Sequence, residues 1–345
     1  MDIPEALAQI VAGKNLSQDD AAAVFQQIMS GEATPGQIGA LLTGLRVKGE
    51  TAQEIAGAAL TMRTLCTKVP AQSEGLVDTC GTGGSGSKLF NISTAAAFVA
   101  AAAGARVAKH GNRKMTSFSG SADVLEAAGV ALALTPEQIA ACIDEIGVGF
   151  MFAQAHHSAM RFAGPIRQEI GIRTLMNVLG PMTNPAGAKR QVIGVFSTDW
   201  QLQIAEVLKL LGSEHALIVH SNGLDEIRLD APTHVVELKN GSITQYDIEP
   251  SDFGIAPRSA QECAGIVADS AATSLALVKQ SLADDNSAAA DIVALNAGAA
   301  IYVSGVARTL ADGVAMAQDA ISSGLAQERL AELVRITSLM AESPS

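Results

Sequence analysis

Between a short apolar stretch, Leu76 to Cys80, and an alanine-rich run that starts near Ser93 lies a loop with four glycines in seven residues, Gly81 to Ser87. Leu76 to Cys80 reads as a short buried strand. Ser93 and Thr94 stand before the alanine run, as N-capping residues do. Backbone N–H groups at a helix start have no intrahelical partner, and the helix dipole favours an anion there. Glycine allows positive φ and lets a ligand come close to the backbone. Taken alone, the loop is equally consistent with a flexible surface turn.

The next segment separates these readings. Arg106 to Lys109 reads as a second strand, and Lys109-His110-Gly111-Asn112-Arg113 follows at its end. A hydroxyl-rich turn with Thr116, Ser117, Ser119 and Ser121 comes next. In parallel sheets, ligands bind beyond the carboxyl ends of strands. One strand end offers backbone N–H groups, and its neighbour offers the cations Lys109 and Arg113 with hydroxyls. That pairing suits a substrate carrying several phosphates.

Residues 1 to about 70 read as helix throughout. Ile3, Ala6, Leu7 and Ile10 recur at helical spacing. Ser17, Thr34-Pro35 and Thr51 each precede a helical run, with Pro35 at a first turn where its missing N–H does no harm. From Leu76 onward, strand and helix alternate. The spacing predicts strands at 76–80, 105–109, 149–153, 191–196 and 215–220, and helices such as Pro136 to Ile146 and Gln201 to Leu211. After about Asp252 the chain is helix-rich, with Asn286 to Ser304 strongly apolar. The expected fold is α/β: a small all-helical domain plus a larger α/β domain with a central, mostly parallel sheet. Lys68 to Gly75 is the expected linker.

Composition narrows the function. The chain has 345 residues, 48% hydrophobic and only 3% aromatic, with a net charge of −12. A negative chain without a basic stripe argues against nucleic acid. An acidic protein that binds polyphosphate needs local cations or a metal. No run of about 18 apolar residues predicts a membrane span, and the N-terminus shows no signal-peptide pattern. Cys66, Cys80, Cys142 and Cys263 are far apart, without metal-ligand spacing, so reduced thiols in a cytoplasmic protein are expected.

Two further regions carry chemistry. Met151 to Pro185 holds His156-His157 and Arg167. Adjacent residues on a helix point in different directions, so a structural or substrate-lining role for the histidines is favoured over a metal site. Arg167 follows Pro165 near an expected helix start, and a guanidinium fork matches a carboxylate. A salt bridge to a nearby acid is the other reading. Ser221 to Ile227 then places Asp225 and Glu226 in a loop past a strand end. Adjacent carboxylates are usually just solvated, but beside a phosphate loop they are hard oxygen ligands for Mg²⁺.

In this order, Gly-Thr-Gly-Gly-x-Gly, Phe-Asn-Ile-Ser-Thr, Lys-His-Gly-Asn-Arg and Ser-Gly-Ser-Ala-Asp resemble the anthranilate phosphoribosyltransferase family, and the similarity runs the whole chain. The resemblance implies transfer of the phosphoribosyl group of 5-phosphoribosyl 1-pyrophosphate to the amine of anthranilate, in tryptophan biosynthesis. It implies that Gly81, Gly84, Ser85, Leu89, Asn91, Ser93, Thr94, Lys109, Asn112, Ser117 and Ser121 hold phosphoribosyl pyrophosphate. Gly81, His110, Asn112 and Arg167 would hold anthranilate. Ser93, Asp225 and Glu226 would bind magnesium, with two ions expected. His110 is the candidate for a catalytic residue. The resemblance also implies a homodimer through residues 1–70, joined by part of 154–185, with 76–153 and 186–345 forming the α/β domain. Asn177 to Pro185 matches the family's return hinge.

Three departures stand out. Ser85 replaces the family's usual Asp, Phe118 stands where a polar residue is common, and Gln154 replaces a usual Pro. A pyrimidine nucleoside phosphorylase shares the architecture but would need a different phosphate signature. A non-catalytic phosphoribosyl-pyrophosphate-binding relative need not keep Asp225, Glu226 or Arg167.

Overall fold

The computed structural model describes residues 1–72, 74–83, 88–113, 119–283 and 286–342. Four helices open the chain: α1 Ile3–Val11, α2 Gln18–Met29, α3 Pro35–Lys48 and α4 Ala52–Leu65. Asp2, Ser17, Thr34 and Thr51 cap them, each side chain accepting a first-turn N–H. Such caps satisfy donors that the helix cannot. Glu54 is fully buried, and its carboxylate takes Leu16 N–H at 2.9 Å and Lys48 Nζ at 3.0 Å.

The alternating part follows as β1 Leu76–Gly81, α5 Ile92–Ala102, β2 Arg106–Gly111, α6 Ser121–Ala128, α7 Pro136–Ile146, β3 Val148–Phe152, α8 Ala153–His156 and α9 Met160–Ile170. Short 3-10 turns at Leu175–Asn177 and Gly180–Met182 lead to β4 Arg190–Gly194, α10 Asp199–Leu210 and β5 His215–His220. These five strands lie where the sequence places them. A hairpin that the sequence reading missed comes next, β6 Thr233–Lys239 and β7 Ser242–Ile248. The chain closes with α11 Ala260–Ala264, α12 Ala271–Ser281, α13 Ala288–Ser304, α14 Leu310–Ser322 and α15 Leu325–Glu342.

The sheet order is β3-β2-β1-β4-β5-β6-β7. The first five strands run parallel, and the hairpin adds two antiparallel ones. Side chains alternate between faces of a strand, and each face has its own core. Val77, Val107, Val192 and Leu217 pack with α5, α13 and α14. Ile193, Ala216, Ile218 and Val236 share a core with α10 and with the N-terminal helices. Helix α9 also joins that second core through Ala163, with Ile166 and Ile170 packed against it. The linker and the return segment meet where Thr67 N–H donates to His156 O at 2.9 Å and Val69 N–H to Pro185 O at 3.2 Å. No helix among the described residues is long and apolar enough to cross a membrane.

Candidate active site

The strand order reverses at β1, whose neighbours are β2 on one side and β4 on the other. In open α/β sheets ligands bind at such a switch point, beyond the carboxyl ends of the strands. The predicted site residues gather at these tips. Lys109 points to the α5 face. It is 2% exposed, and its Nζ donates to Thr79 O at 2.6 Å and lies 3.4 Å from Ser93 Oγ. Burial pushes its pKa down, against the pull of Asp78, Cys80 and Glu226.

Helix α5 starts at Ile92, at least two residues earlier than the capping pattern predicted. Asn91 takes the cap position without a side-chain capping bond, so Ser93 and Thr94 sit inside the first turn. Thr94 Oγ1 is buried with no partner among the described residues. Asn91 is held elsewhere: its Oδ1 accepts Ser119 Oγ and Ser274 Oγ, both at 2.7 Å. Leu89 pairs with Val267 across an isolated antiparallel bridge.

The loop after β5 carries Asp225 and Glu226 over the tips of β1 and β4. A Cβ on Gly81 would stand 3.0 Å from Asp225 Oδ2, and one on Gly194 would stand 1.7 Å from Asp225 O. Asn296 of α13 pins this loop. Its Oδ1 accepts Ile227 N–H and its Nδ2 donates to Ile227 O, both at 3.0 Å. Glu226 accepts the Ser93 backbone N–H at the start of α5. Burial and the adjacent Asp225 push the Glu226 carboxyl up to about 8, against Lys109 and that N–H. Neither carboxylate forms an ion pair with a described Lys, Arg or His. Two unpaired carboxylates, one with a raised pKa, beside Ser93 Oγ are a donor set that fits a hard divalent cation. Among the described residues no group of three or more His, Cys, Asp and Glu could hold a metal alone, so substrate oxygens would complete the shell.

On the other face of the sheet, the His110 and His157 rings lie with centroids 5.1 Å apart, tilted 57° to each other. The backbone of Gly180 bonds the His110 ring, and that of Thr183 bonds the His157 ring. Both Nε2 atoms are buried without a partner among the described residues. Burial holds the His110 pKa down to about 3 and that of His157 to about 4. Both rings are therefore neutral near pH 7, with Nε2 free to accept a hydrogen bond. His156 is committed differently, its Nδ1 lying 2.8 Å from Thr67 O.

Arg167 lies in the last turn of α9, with Pro165 inside the helix, not near a helix start as the sequence predicted. It is half-buried, burial lowers its pKa, and no described acid pairs with it. Arg113, read as a phosphate cation, is instead tied to Asp123 at 3.2 Å and Glu126 at 2.7 Å. Asn112 is half-buried, with Oδ1 accepting the Arg113 N–H at 2.8 Å. Ser121 opens α6, its Oγ 3.0 Å from where a Gly111 Cβ would stand. Gly84, Ser85, Ser117 and Phe118 lie outside the described residues. Lys88 is exposed, and its carbonyl accepts Ala268 N–H at 2.7 Å.

Residues 4–66 match the glycosyl transferase family helical bundle domain, and residues 73–327 match the glycosyl transferase family a/b domain. An anthranilate phosphoribosyltransferase from Teredinibacter turnerae is 55% identical over 344 residues, covering 98% of this chain and 100% of the relative. One from a Marinomonas species is 56% identical over 340 residues, covering 98% of this chain and 97% of the relative.

The chain belongs to the anthranilate phosphoribosyltransferase family.

Solved structures agree with that placement. The family's Thermus thermophilus member superposes with a TM-score of 0.91 at 40% identity, over 96% of this chain and 99% of the other. The Saccharomyces cerevisiae anthranilate phosphoribosyltransferase, solved in complex with PRPP and Mg, gives 0.87 at 25% identity over 98% of each chain. Sequence reasoning had missed three buried polar residues of this family member: Asp78, Asn184 and Asn296, at 0%, 3% and 4% exposure. A single Asn inside the apolar run of α13 was a readable signal for the last of them.

Proposed function

We propose that the strand-tip cleft transfers the phosphoribosyl group of 5-phosphoribosyl 1-pyrophosphate to the amine of anthranilate. The products are N-(5-phosphoribosyl)anthranilate and pyrophosphate. The observation that carries this reading is the division of the cleft between the two faces of the sheet. Lys109, Ser93, Asp225 and Glu226 lie at the α5 side. The neutral pair His110 and His157 lies on the opposite face.

An aromatic amine is already a nucleophile, so no activated Ser or Cys is needed. The C1–N bond forms as the bond from C1 to the pyrophosphate oxygen breaks, and the surplus amine proton passes to the departing pyrophosphate or to solvent. Asp225, Glu226 and Ser93 would hold magnesium, and two ions are proposed, as the resemblance implies. When bound, the metal neutralises charge on the departing pyrophosphate. Backbone N–H groups of the glycine loop, Lys109, Leu89, Asn91, Thr94 and Ser121 bind and orient the phosphoribosyl donor. His110 and His157 offer acceptors to the amine N–H groups. With a pKa of about 3, His110 binds no proton near neutral pH and orients the amine rather than acting as a general base. Arg167 and Asn112 bind the anthranilate carboxylate and fix the ring.

The helical part, residues 1–70 with part of 154–185, forms a homodimer contact in this reading. Val11 and Val47, 85% and 83% exposed at the ends of α1 and α3, support that placement. The reaction belongs in the cytoplasm.

The test is loss of anthranilate fluorescence on mixing with phosphoribosyl pyrophosphate and Mg²⁺, beside a metal-free control. Loss only with all components is expected. Unchanged fluorescence in the complete mixture would overturn the reading.

A further inference from the structure

Asp78 and Asn184 touch none of the reactants as placed above, and both are buried, at 0% and 3% exposure. They sit in a break in the sheet. β1 and β2 pair only at Leu76↔Arg106 and Val77↔Val107. β1 stays paired with β4 as far as Gly81↔Gly194, and β2 with β3 as far as Gly111↔Phe152. The sheet therefore opens between β1 and β2 at the tips that carry Gly81, Lys109 and His110.

An opened ladder leaves buried N–H and C=O groups that must find other partners. Here side chains supply them. His110 N–H donates to Asp78 Oδ1 at 3.1 Å. Asn184 Nδ2 donates to Ala108 O and to Asp78 Oδ2, both at 2.8 Å. Asn184 Oδ1 accepts Ala186 N–H at 3.0 Å and Ala188 N–H at 3.5 Å. One carboxamide thus joins β1, β2 and the return segment. That segment's Gly180 and Thr183 hold the rings of His110 and His157, and its Pro185 accepts Val69 N–H from the linker.

We infer that Asp78 and Asn184 are a positioning pair for the acceptor substrate: they wedge β1 from β2 and seat the return segment that orients His110 and His157. The inference rests on the reading of the cleft given above. It assigns the pair to the anthranilate side, because the donor side is built on the other face from α5, Lys109 and the Asp225 loop.

Asp78→Asn keeps the volume and removes one acceptor. Whichever way the new carboxamide turns, its NH₂ faces either the His110 N–H or the Asn184 NH₂. Asn184→Ala removes the other half of the pair. Each variant is expected to raise KM for anthranilate about tenfold or more, the size of one lost hydrogen bond to a charged group. In Asn184→Ala, which leaves the Asp78 charge beside Lys109 in place, the Kd for phosphoribosyl pyrophosphate with Mg²⁺, measured by calorimetry, is expected to change less than about twofold on the same scale. The double variant is expected to add little to either single one, since the two residues act as a unit.

A residue that merely stabilises the fold would lower Tm and shift both substrates together. Equal shifts for both substrates in Asn184→Ala, an unchanged anthranilate KM in either folded variant, or additive effects would each overturn the inference. If Asp78→Asn does not fold, Asn184→Ala decides by the same ratio. Wild-type turnover is measured first. Its absence overturns the reading of the cleft together with this inference, whereas normal wild-type turnover with unshifted variants overturns the inference alone.

Discussion

The Nζ of Lys109 donates to the carbonyl of Thr79 at 2.6 Å, across the gap between two strands that no longer pair. A lysine in that position plugs the sheet and, in the proposed reading of the cleft, lies under its donor side.

Lys109→Met keeps the length and the apolar stem and removes the charge. KM for phosphoribosyl pyrophosphate is expected to rise about tenfold or more, as for a lost charge-assisted bond of about 1.5–3 kcal/mol. Tm is expected to fall as well, because buried Asp78 and Glu226 lose the cation that offsets their burial. Steady-state kinetics and a thermal melt check both. An unchanged KM for the donor would remove Lys109 from the donor site.

Arg167→Ala is expected to separate function from stability. The guanidinium is half-buried and burial costs it, with no compensating acid among the described residues. Removing it is expected to leave Tm unchanged or raised, while KM for anthranilate rises about tenfold or more. KM for the donor is expected to hold. Equal shifts in both KM values, or a clear loss of Tm, would make Arg167 a structural residue.

Glu237 gives a pH prediction far from the site. Burial alone would raise its pKa, but bonds from His215, Tyr302 and Tyr246 outweigh that and hold it down to about 2. Those bonds are 2.8, 2.8 and 2.9 Å long. A carboxyl whose folded pKa is depressed contributes stability above its ordinary range, and that contribution disappears as pH falls through the folded value. Glu237→Gln is expected to lower Tm most above about pH 5, with the gap to wild type closing toward about pH 2. Melts across a pH series test this, and a gap that stays constant with pH would count against it.

The parallel strands and capped helices were legible because local rules decide them. Ser17, Thr34 and Thr51 cap the helices that the sequence assigned to them. The hairpin β6–β7 was not legible, since β7 is an edge strand that alternates only weakly and buries little. The cations were half legible: Lys109 reaches the site, whereas Arg113 is drawn to Asp123 and Glu126, acids ten and thirteen residues away that only the fold brings near. Asp78 and Asn184 are 106 residues apart and meet only where the sheet opens between β1 and β2. Sequence spacing carries no trace of that opening.

Gly194 tests how closely the acidic loop must rest on the sheet. It ends β4, pairs with Gly81, and its carbonyl accepts Thr82 N–H at 2.9 Å. A Cβ there would stand 1.7 Å from the backbone oxygen of Asp225 and 2.5 Å from its carbonyl carbon. Backbone cannot turn aside as a side chain can, so Gly194→Ala must lift the loop. At Gly81 the crowding is milder: a Cβ would meet Asp225 Oδ2 at 3.0 Å, the end of a side chain that can rotate, and Gly194 O at 3.5 Å, an ordinary contact. The loop presents Asp225 and Glu226, so Gly194→Ala is expected to raise the Mg²⁺ concentration for half-maximal rate about tenfold or more, as loss of a well-placed oxygen ligand would. KM for anthranilate is expected to stay near wild type in Gly194→Ala. Initial rates over a magnesium series at fixed ionic strength decide the matter. Superimposable magnesium profiles for wild type and Gly194→Ala would mean that the loop tolerates displacement, and that Asp225 and Glu226 do not owe their metal-binding geometry to this glycine.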